Sequence, residues 1–191
     1  MILAGARKLM NTICVNTLRA LLDADFNTGD LYWKYRGCDF FDVKDGKVMD
    51  NGWNARYYGK SALSLVDDKG YKHGRILRVN IKAHRACFAL FHGWWPEYFV
   101  DHVDGNRSNN CIRNLRESTH SQNARNRVAD KNSTSSYLGV HFDASRSKWV
   151  ASICVNGKPS RIGSFLREED AALAYDKMAI KIHGEFARPN F

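Results

Sequence analysis

The stretch that most constrains this chain is residues 100–127. It reads Val-Asp-His-Val-Asp-Gly-Asn-Arg-Ser-Asn-Asn-Cys-Ile-Arg-Asn-Leu-Arg-Glu-Ser-Thr-His-Ser-Gln-Asn-Ala-Arg-Asn-Arg. Apolar anchors are few, so its shape has to come from short polar side chains bonding to nearby backbone. Asp104-Gly105-Asn106 predicts a turn, and Asn114 introduces a short extended piece, Leu115-Arg116. Thr119-His120-Ser121-Gln122 is a capping box, so a helix opens at Thr119. Asn123 then stands near the helix N-terminus, where its side chain can turn back toward the strands.

The same residues carry chemistry. Asp101-His102 sets a hard oxygen ligand beside a base that titrates near neutrality. A divalent ion held by Asp101 and Asn123, with His102 beside it, makes a workable phosphodiesterase site. Two protein ligands leave room for phosphate and water, which is how Mg2+ is usually held. His102 is placed to take a proton from the attacking water. Arg107, Arg113, Arg116, Arg125 and Arg127 surround the set and suit phosphate. The competing reading is an Asx-rich surface loop in which His102 is merely hydrogen-bonded. The ordered series of turn, Asn109-Asn110, Asn114-Leu115-Arg116 and capped helix favours the site.

Composition limits the partners. The chain has 191 residues, with 29 Lys plus Arg against 20 Asp plus Glu, a formal charge of +9. With 44% hydrophobic and 12% aromatic residues it can build a core in one domain or two small ones. That excludes a disordered tail, a collagen and a coiled coil. No apolar run reaches about 18 residues, which excludes an integral membrane protein. The charge favours a polyanion, either nucleic acid or an anionic membrane surface. The five cysteines are scattered and form no C-x-x-C, so reduced thiols in a cytosolic protein are expected and a zinc ribbon is not. Cys87 and Cys154 lie in apolar runs and are expected in the core. No signal peptide is evident in residues 1–15, and Met10 could equally be the start.

The remaining chain reads as short elements. A helix is expected over Thr17–Leu22, a strand over Leu31–Tyr35, loop over 37–55, and short strands over 56–81. Within the last, Arg75–Ile81 alternates as one strand, with Leu77, Val79 and Ile81 on one face. Ala83, Ala86, Cys87, Leu90 and Phe91 give a helical stripe ended by Gly93. Residues 131–136 form the linker. Strands are then expected over Tyr137–Phe142, Trp149–Val155 and Arg161–Phe165, with a hairpin at Asn156-Gly157. A helix over Glu168–His183 buries Ala171, Ala174, Tyr175, Met178 and Ile182.

The motif block resembles the HNH endonuclease family, the ββα-metal nucleases, especially free-standing homing-type enzymes of phages. The family's elements are matched here by Asp101-His102-Val103-Asp104-Gly105-Asn106, Asn109-Asn110, Asn114-Leu115-Arg116 and Asn123-Ala124-Arg125-Asn126. His84-Arg85 and Phe88-Ala89-Leu90-Phe91 match the helix that precedes the motif, and Asp25 to Lys34 match the family's opening segment. The resemblance implies His102 as general base, Asp101 and Asn123 as metal ligands, and Asn114 as the residue that fixes the loop carrying His102. Asn126 is the runner-up ligand, and His120 could also face the site. It implies one Mg2+ (or Mn2+) per site, and the absence of the zinc-binding cysteines of some relatives implies no structural zinc.

Residues 137–191 are similar to the DNA-binding domain of plant ethylene-response factors. The match runs through Tyr137-Leu138-Gly139-Val140, Trp149-Val150-Ala151-Ser152-Ile153, Ile162-Gly163-Ser164-Phe165, Glu169 to Asp176 and Gly184-Glu185-Phe186-Ala187. In that family a three-stranded sheet enters the major groove, and one helix packs behind it. The arginines that the plant domains place after the first Gly are replaced here, so their target sequence does not transfer. Arg146, Lys148, Trp149, Lys158 and Arg161 are the outer-face candidates. Trp149 is equally compatible with core packing, and Lys148 and Lys158 with a solvated hairpin.

The expected fold is therefore α+β: a ββα-metal nuclease domain over 1–130, with its motif core at 84–127, then a small three-stranded antiparallel sheet packed on one helix. The expected function is a metal-dependent, sequence-directed endonuclease on double-stranded DNA, monomeric or homodimeric. No membrane and no obligatory protein partner are expected, and the location is the cytoplasm, that of the host cell if phage-encoded. The alternative is a non-catalytic DNA-binding regulator with a degenerate nuclease domain, against which Asp101, His102 and Asn123 all being present argues. An RNA nuclease fits less well, because A-form RNA hides its major groove.

Overall fold

The computed structural model describes residues 13–45, 47–50, 52–123, 133–155 and 157–191. The chain divides into two compact units, residues 1–117 and 118–191.

The first unit runs α1 (Val15–Leu21), β1 (Leu22–Asp25), β2 (Asp30–Trp33), β3 (Val43–Lys44), β4 (Lys47–Val48), α2 (Trp53–Tyr57), β5 (Ser61–Ala62), β6 (Leu65–Val66), β7 (Lys72–Ile76), β8 (Val79–Lys82), α3 (Ala83–His92), β9 (Phe99–His102) and β10 (Leu115–Ser118). Small sheets of order β1-β2-β5, β3-β4, β6-β7-β8 and β9-β10 surround one core. At its centre is α3, whose Ala86, Cys87 and Ala89 are fully buried beside Leu18, Leu21 and Ile76. Burial pushes the Cys87 thiol pKa up to about 12. Gly93 ends α3 in the left-handed region, with φ 88. Phe91, expected on the buried stripe, is half exposed and packs edge-on against Phe26.

Three expectations are corrected in this unit. Residues 75–81 are not one strand but a hairpin, with Ile76 paired to Val79. The two turn residues, Leu77 and Arg78, both have positive φ, as a two-residue hairpin turn requires. Ile76 is therefore buried while Leu77 is exposed. No Asn or Gly marked this turn, so alternation ran straight through it. The first helix starts at Val15 and gives Leu22 to β1, with the Cys14 sulfur accepting from the Thr17 N–H at the helix start. Residues 37–55, expected as loop, hold the β3–β4 hairpin and the start of α2.

The second unit holds α4 (His120–Asn123), β11 (Val140–Asp143), β12 (Lys148–Val155), β13 (Lys158–Phe165) and α5 (Glu168–His183). The last three strands form an antiparallel meander of order β11-β12-β13. β13 starts at Lys158, opposite Val155, rather than at Arg161. It is an edge strand, which tolerates Pro159. Asn156, half of the expected hairpin pair, lies outside the described residues. α5 has the expected limits but is turned by about one residue, burying Ala171, Ala172, Tyr175, Asp176 and Ala179. Asp176 is tolerated inside because its carboxylate accepts from the Asn190 backbone and side chain and from the Phe191 N–H. Ile182 faces outward instead, and so does Cys154, which had been expected in the core.

The first strand starts at Val140, because Gly139 turns left-handed with φ 76 beneath Tyr175. Part of the expected linker is folded into this unit. The Ser135 hydroxyl donates to Glu168 at 2.6 Å, and Thr134 accepts from the Phe142 N–H. Residues 131–132 lie outside the described residues. Among the described residues, no helix is long and apolar enough to cross a membrane.

Candidate active site

Strand β9 ends on Asp101 and His102, and the chain then closes a loop that returns at Asn114. Polar contacts hold this loop, as its composition requires. Asp104 Oδ1 accepts from the Asn106 N–H at 2.7 Å and from Asn114 Nδ2 at 2.9 Å. Asp104 Oδ2 accepts from Asn109 Nδ2 at 2.7 Å. Asn114 also takes the Asp104 N–H on its Oδ1 at 3.0 Å and gives Nδ2 to the Asn109 carbonyl at 2.8 Å. It is the staple that joins both ends of the loop. Burial opposes ionisation of Asp104, but the hydrogen bonds from Asn109 and Asn114 hold its pKa below the usual carboxylate value. The Ser108 hydroxyl and an Arg107 Nη donate to the Gly70 and Lys69 carbonyls, tying the loop to the turn before β7.

His102 is 3% exposed. Its Nε2 lies 3.1 Å from Asn110 Oδ1. The two side chains are hydrogen-bonded, and the tautomer of His102 sets which of them donates. Burial lowers the His102 pKa, against the opposing pull of the Asn110 hydrogen bond and the Asp104 and Asp101 charges. The imidazole is thus neutral, and able to act as a base, at neutral pH. His84 packs edge-on to it at 5.1 Å between ring centroids, and Tyr71 stands 5.9 Å away. Burial, then the His102 and Arg85 charges, bring the His84 pKa down to about 3.

Asn110 is held from behind. Gly29, in the left-handed region, approaches so closely that a Cβ there would fall 2.0 Å from the Asn110 carbonyl carbon. The buried Cys87 thiol donates to the same carbonyl at 3.4 Å.

Asp101 is buried, and its Oδ2 accepts from Arg116 Nε at 3.1 Å and Nη2 at 2.9 Å. Arg116, expected at phosphate, is thus placed as the counter-charge of Asp101, with its side chain 15% exposed. Asn123 lies in α4, in the second unit. The helix start that leads to it is built as the sequence indicates. The Gln122 N–H donates to Thr119 Oγ1 at 3.3 Å, and the Thr119 N–H donates to Gln122 Oε1 at 2.8 Å. His120 is exposed at the first position of α4. Asn126, Arg125 and Arg127 lie outside the described residues. Among the described residues, no three His, Cys, Asp or Glu side chains converge on one metal position.

The other basic candidates take varied places. Arg107 is exposed, with its guanidinium 5.2 Å over the Tyr71 ring. Arg113 is exposed. In the second unit Arg146 sits 3.7 Å from Asp143. Lys148, Lys158 and Arg161 are exposed, and Arg161 donates to the Ser164 hydroxyl. The Trp149 ring is partly buried against the second core and lies 5.0 Å from Phe142.

In the sequence His84 and Asn110 stand only as members of matched motif stretches, and Tyr71 stands in none. His84 offered a signal, a polar residue at the second position of an apolar helix, while Tyr71 comes from a distant turn and offered none.

A family model described as HNH endonuclease matches residues 82–125, which span α3 through the start of α4. An uncharacterized HNH endonuclease of Acanthamoeba polyphaga mimivirus is 35% identical over 136 residues, covering 70% of this chain. The chain spans 65% of that protein's length. Protein 3.8 of Escherichia phage T7 is 32% identical over 91 residues, covering 48% of this chain and 74% of that protein.

Proposed function

We propose, on the match of residues 82–125 to the HNH endonuclease family and on the viral HNH endonuclease that is 35% identical, that the chain is a metal-dependent, sequence-directed endonuclease of homing type that hydrolyses phosphodiester bonds in double-stranded DNA. The observation that carries this reading is His102: a buried imidazole held by Asn110, its pKa lowered by burial, one residue from the buried carboxylate of Asp101.

In this reading the His102 imidazole accepts a proton from the attacking water. Asn114 keeps the loop, and with it the imidazole, in register. Asp101 and Asn123 would hold the divalent cation, Mg2+ or Mn2+. A carboxylate and an amide oxygen are hard donors that suit it, and Arg116 balances Asp101 until then. When bound, the cation neutralises charge on the scissile phosphate and the leaving oxygen. A ββα-metal arrangement of β9, β10 and the helix opened by Thr119 is the form in which these residues would converge.

Residues 137–191 would act as an ethylene-response-factor-like DNA-binding module. Two linked modules on one duplex lengthen the recognised site and raise affinity. Arg107, Arg146, Lys148, Lys158 and Arg161 would meet phosphates. The working place is the cytoplasm, of the host if the gene is viral. The alternative, a non-catalytic DNA-binding regulator, keeps binding and lacks cleavage. Incubation with plasmid carrying the DNA that flanks the gene separates them. Cleavage with Mg2+ that stops with EDTA is expected, and binding without a cut at any site would establish the regulator.

A further inference from the structure

The outward face of α5 is apolar along a line. Leu173 and Ile180 are 47% and 57% exposed, and Leu166, just before the helix, is 81% exposed. Leu173 and Ile180 lie seven residues apart, two helical turns, on the side opposite the buried Ala171, Tyr175 and Ala179, while Leu166 stands two residues before the helix starts. Asp170 and Lys177 run along one edge of this stripe, also seven apart. Both are exposed, and neither forms an ion pair among the described residues.

We propose that this face is a homodimer interface, in which the α5 helix of a second copy lies antiparallel across it with the two-fold axis at Leu173. A two-fold interface needs a patch that is complementary to itself. With the axis at Leu173, a residue k places after it faces the residue k places before it in the other copy. Leu173 then meets the partner's Leu173, and Ile180 reaches the start of the partner's helix, next to the segment that carries Leu166. A dyad keeps each edge of the stripe on its own side. Asp170 therefore comes within one residue of the partner's Lys177, and the opposite charges pair twice by symmetry. The apolar contact at the axis and the two charge pairs fall into register together. A nucleic acid fits this face poorly, because Asp170 and Glu169 stand on it. A single pair of 16-residue helices is a small interface, so the dimer is concentration-dependent.

Sedimentation of the full chain without DNA or metal tests this, and its readout is independent of whether the chain cuts DNA. The mass is expected to rise from one chain of 21.8 kDa toward twice that between about 1 and about 200 µM. Leu173→Asp, at an exposed position, should leave a folded monomer throughout. Asp170→Lys sets like charges against each other and should weaken association about tenfold. Adding Lys177→Asp to that variant should restore association to within a few-fold. A wild type that stays monomeric overturns the proposal. So does association that ignores Leu173→Asp, or a double reversal that fails to restore it.

Discussion

At the scale of single residues, the site is built by groups that position one imidazole. Asn114 makes two side-chain bonds to Asp104 and one to the Asn109 carbonyl. At about 1 kcal/mol each, Asn114→Ala should cost about 2–3 kcal/mol of stability, read as a lower urea midpoint. Activity should fall further than stability, because His102 rides on that loop. Gly29 acts on the same site from the other side. Gly29→Ala combines a strained φ of 75 with a clash into the backbone of Asn110, and should cost on the order of 3 kcal/mol. Thermal melts check this, and an unchanged melting temperature would show that the close approach is not obligatory.

At the scale of elements, α3 and the strand pair β9–β10 carry buried charge chemistry. His84 has a folded pKa of about 3 against about 6.5 unfolded. The unfolded chain therefore binds a proton that the folded chain refuses between those values. Stability should be unaffected by this group above pH 6.5 and should fall as pH drops below it. The slope approaches about 1.4 kcal/mol per pH unit down to about pH 3. Urea unfolding of wild type and His84→Asn between pH 7 and pH 4 checks it, and the variant should show the smaller slope. Arg116→Ala removes the buried ion-pair partner of Asp101 and should cost about 3 kcal/mol, again by urea unfolding.

Elements were legible where one signal dominated. The limits of α5, the stop at Gly93 and the capping box at Thr119 all stand in the structure as the sequence indicates. Legibility failed where tertiary contacts overrode the pattern. Leu77 and Arg78 make a turn without turn residues, and Asp176 is buried because the C-terminal Asn190 and Phe191 reach it. The pairing of Arg116 with Asp101 needed the β9–β10 register, which no local spacing announces.

At the scale of the molecule, the +9 charge belongs to both parts of the chain. Residues 131–191 hold 9 basic and 6 acidic residues, and residues 1–130 hold 20 and 14. Several of those cations are already spent on the fold, since Lys72, Lys82 and Arg116 pair with Asp30, Asp67 and Asp101. The remainder should act as two linked footprints on one duplex, so affinity for DNA should fall steeply with salt. Binding titrations at several salt concentrations check this, and a flat response would count against a two-module grip on phosphate. The central claim is that this chain cuts duplex DNA through His102, and a paired measurement on His102→Ala tests it most directly. Cleavage of the flanking-DNA plasmid with Mg2+ should disappear, while binding to the same DNA stays within a few-fold of wild type. A variant that still cuts at the wild-type rate would contradict the account.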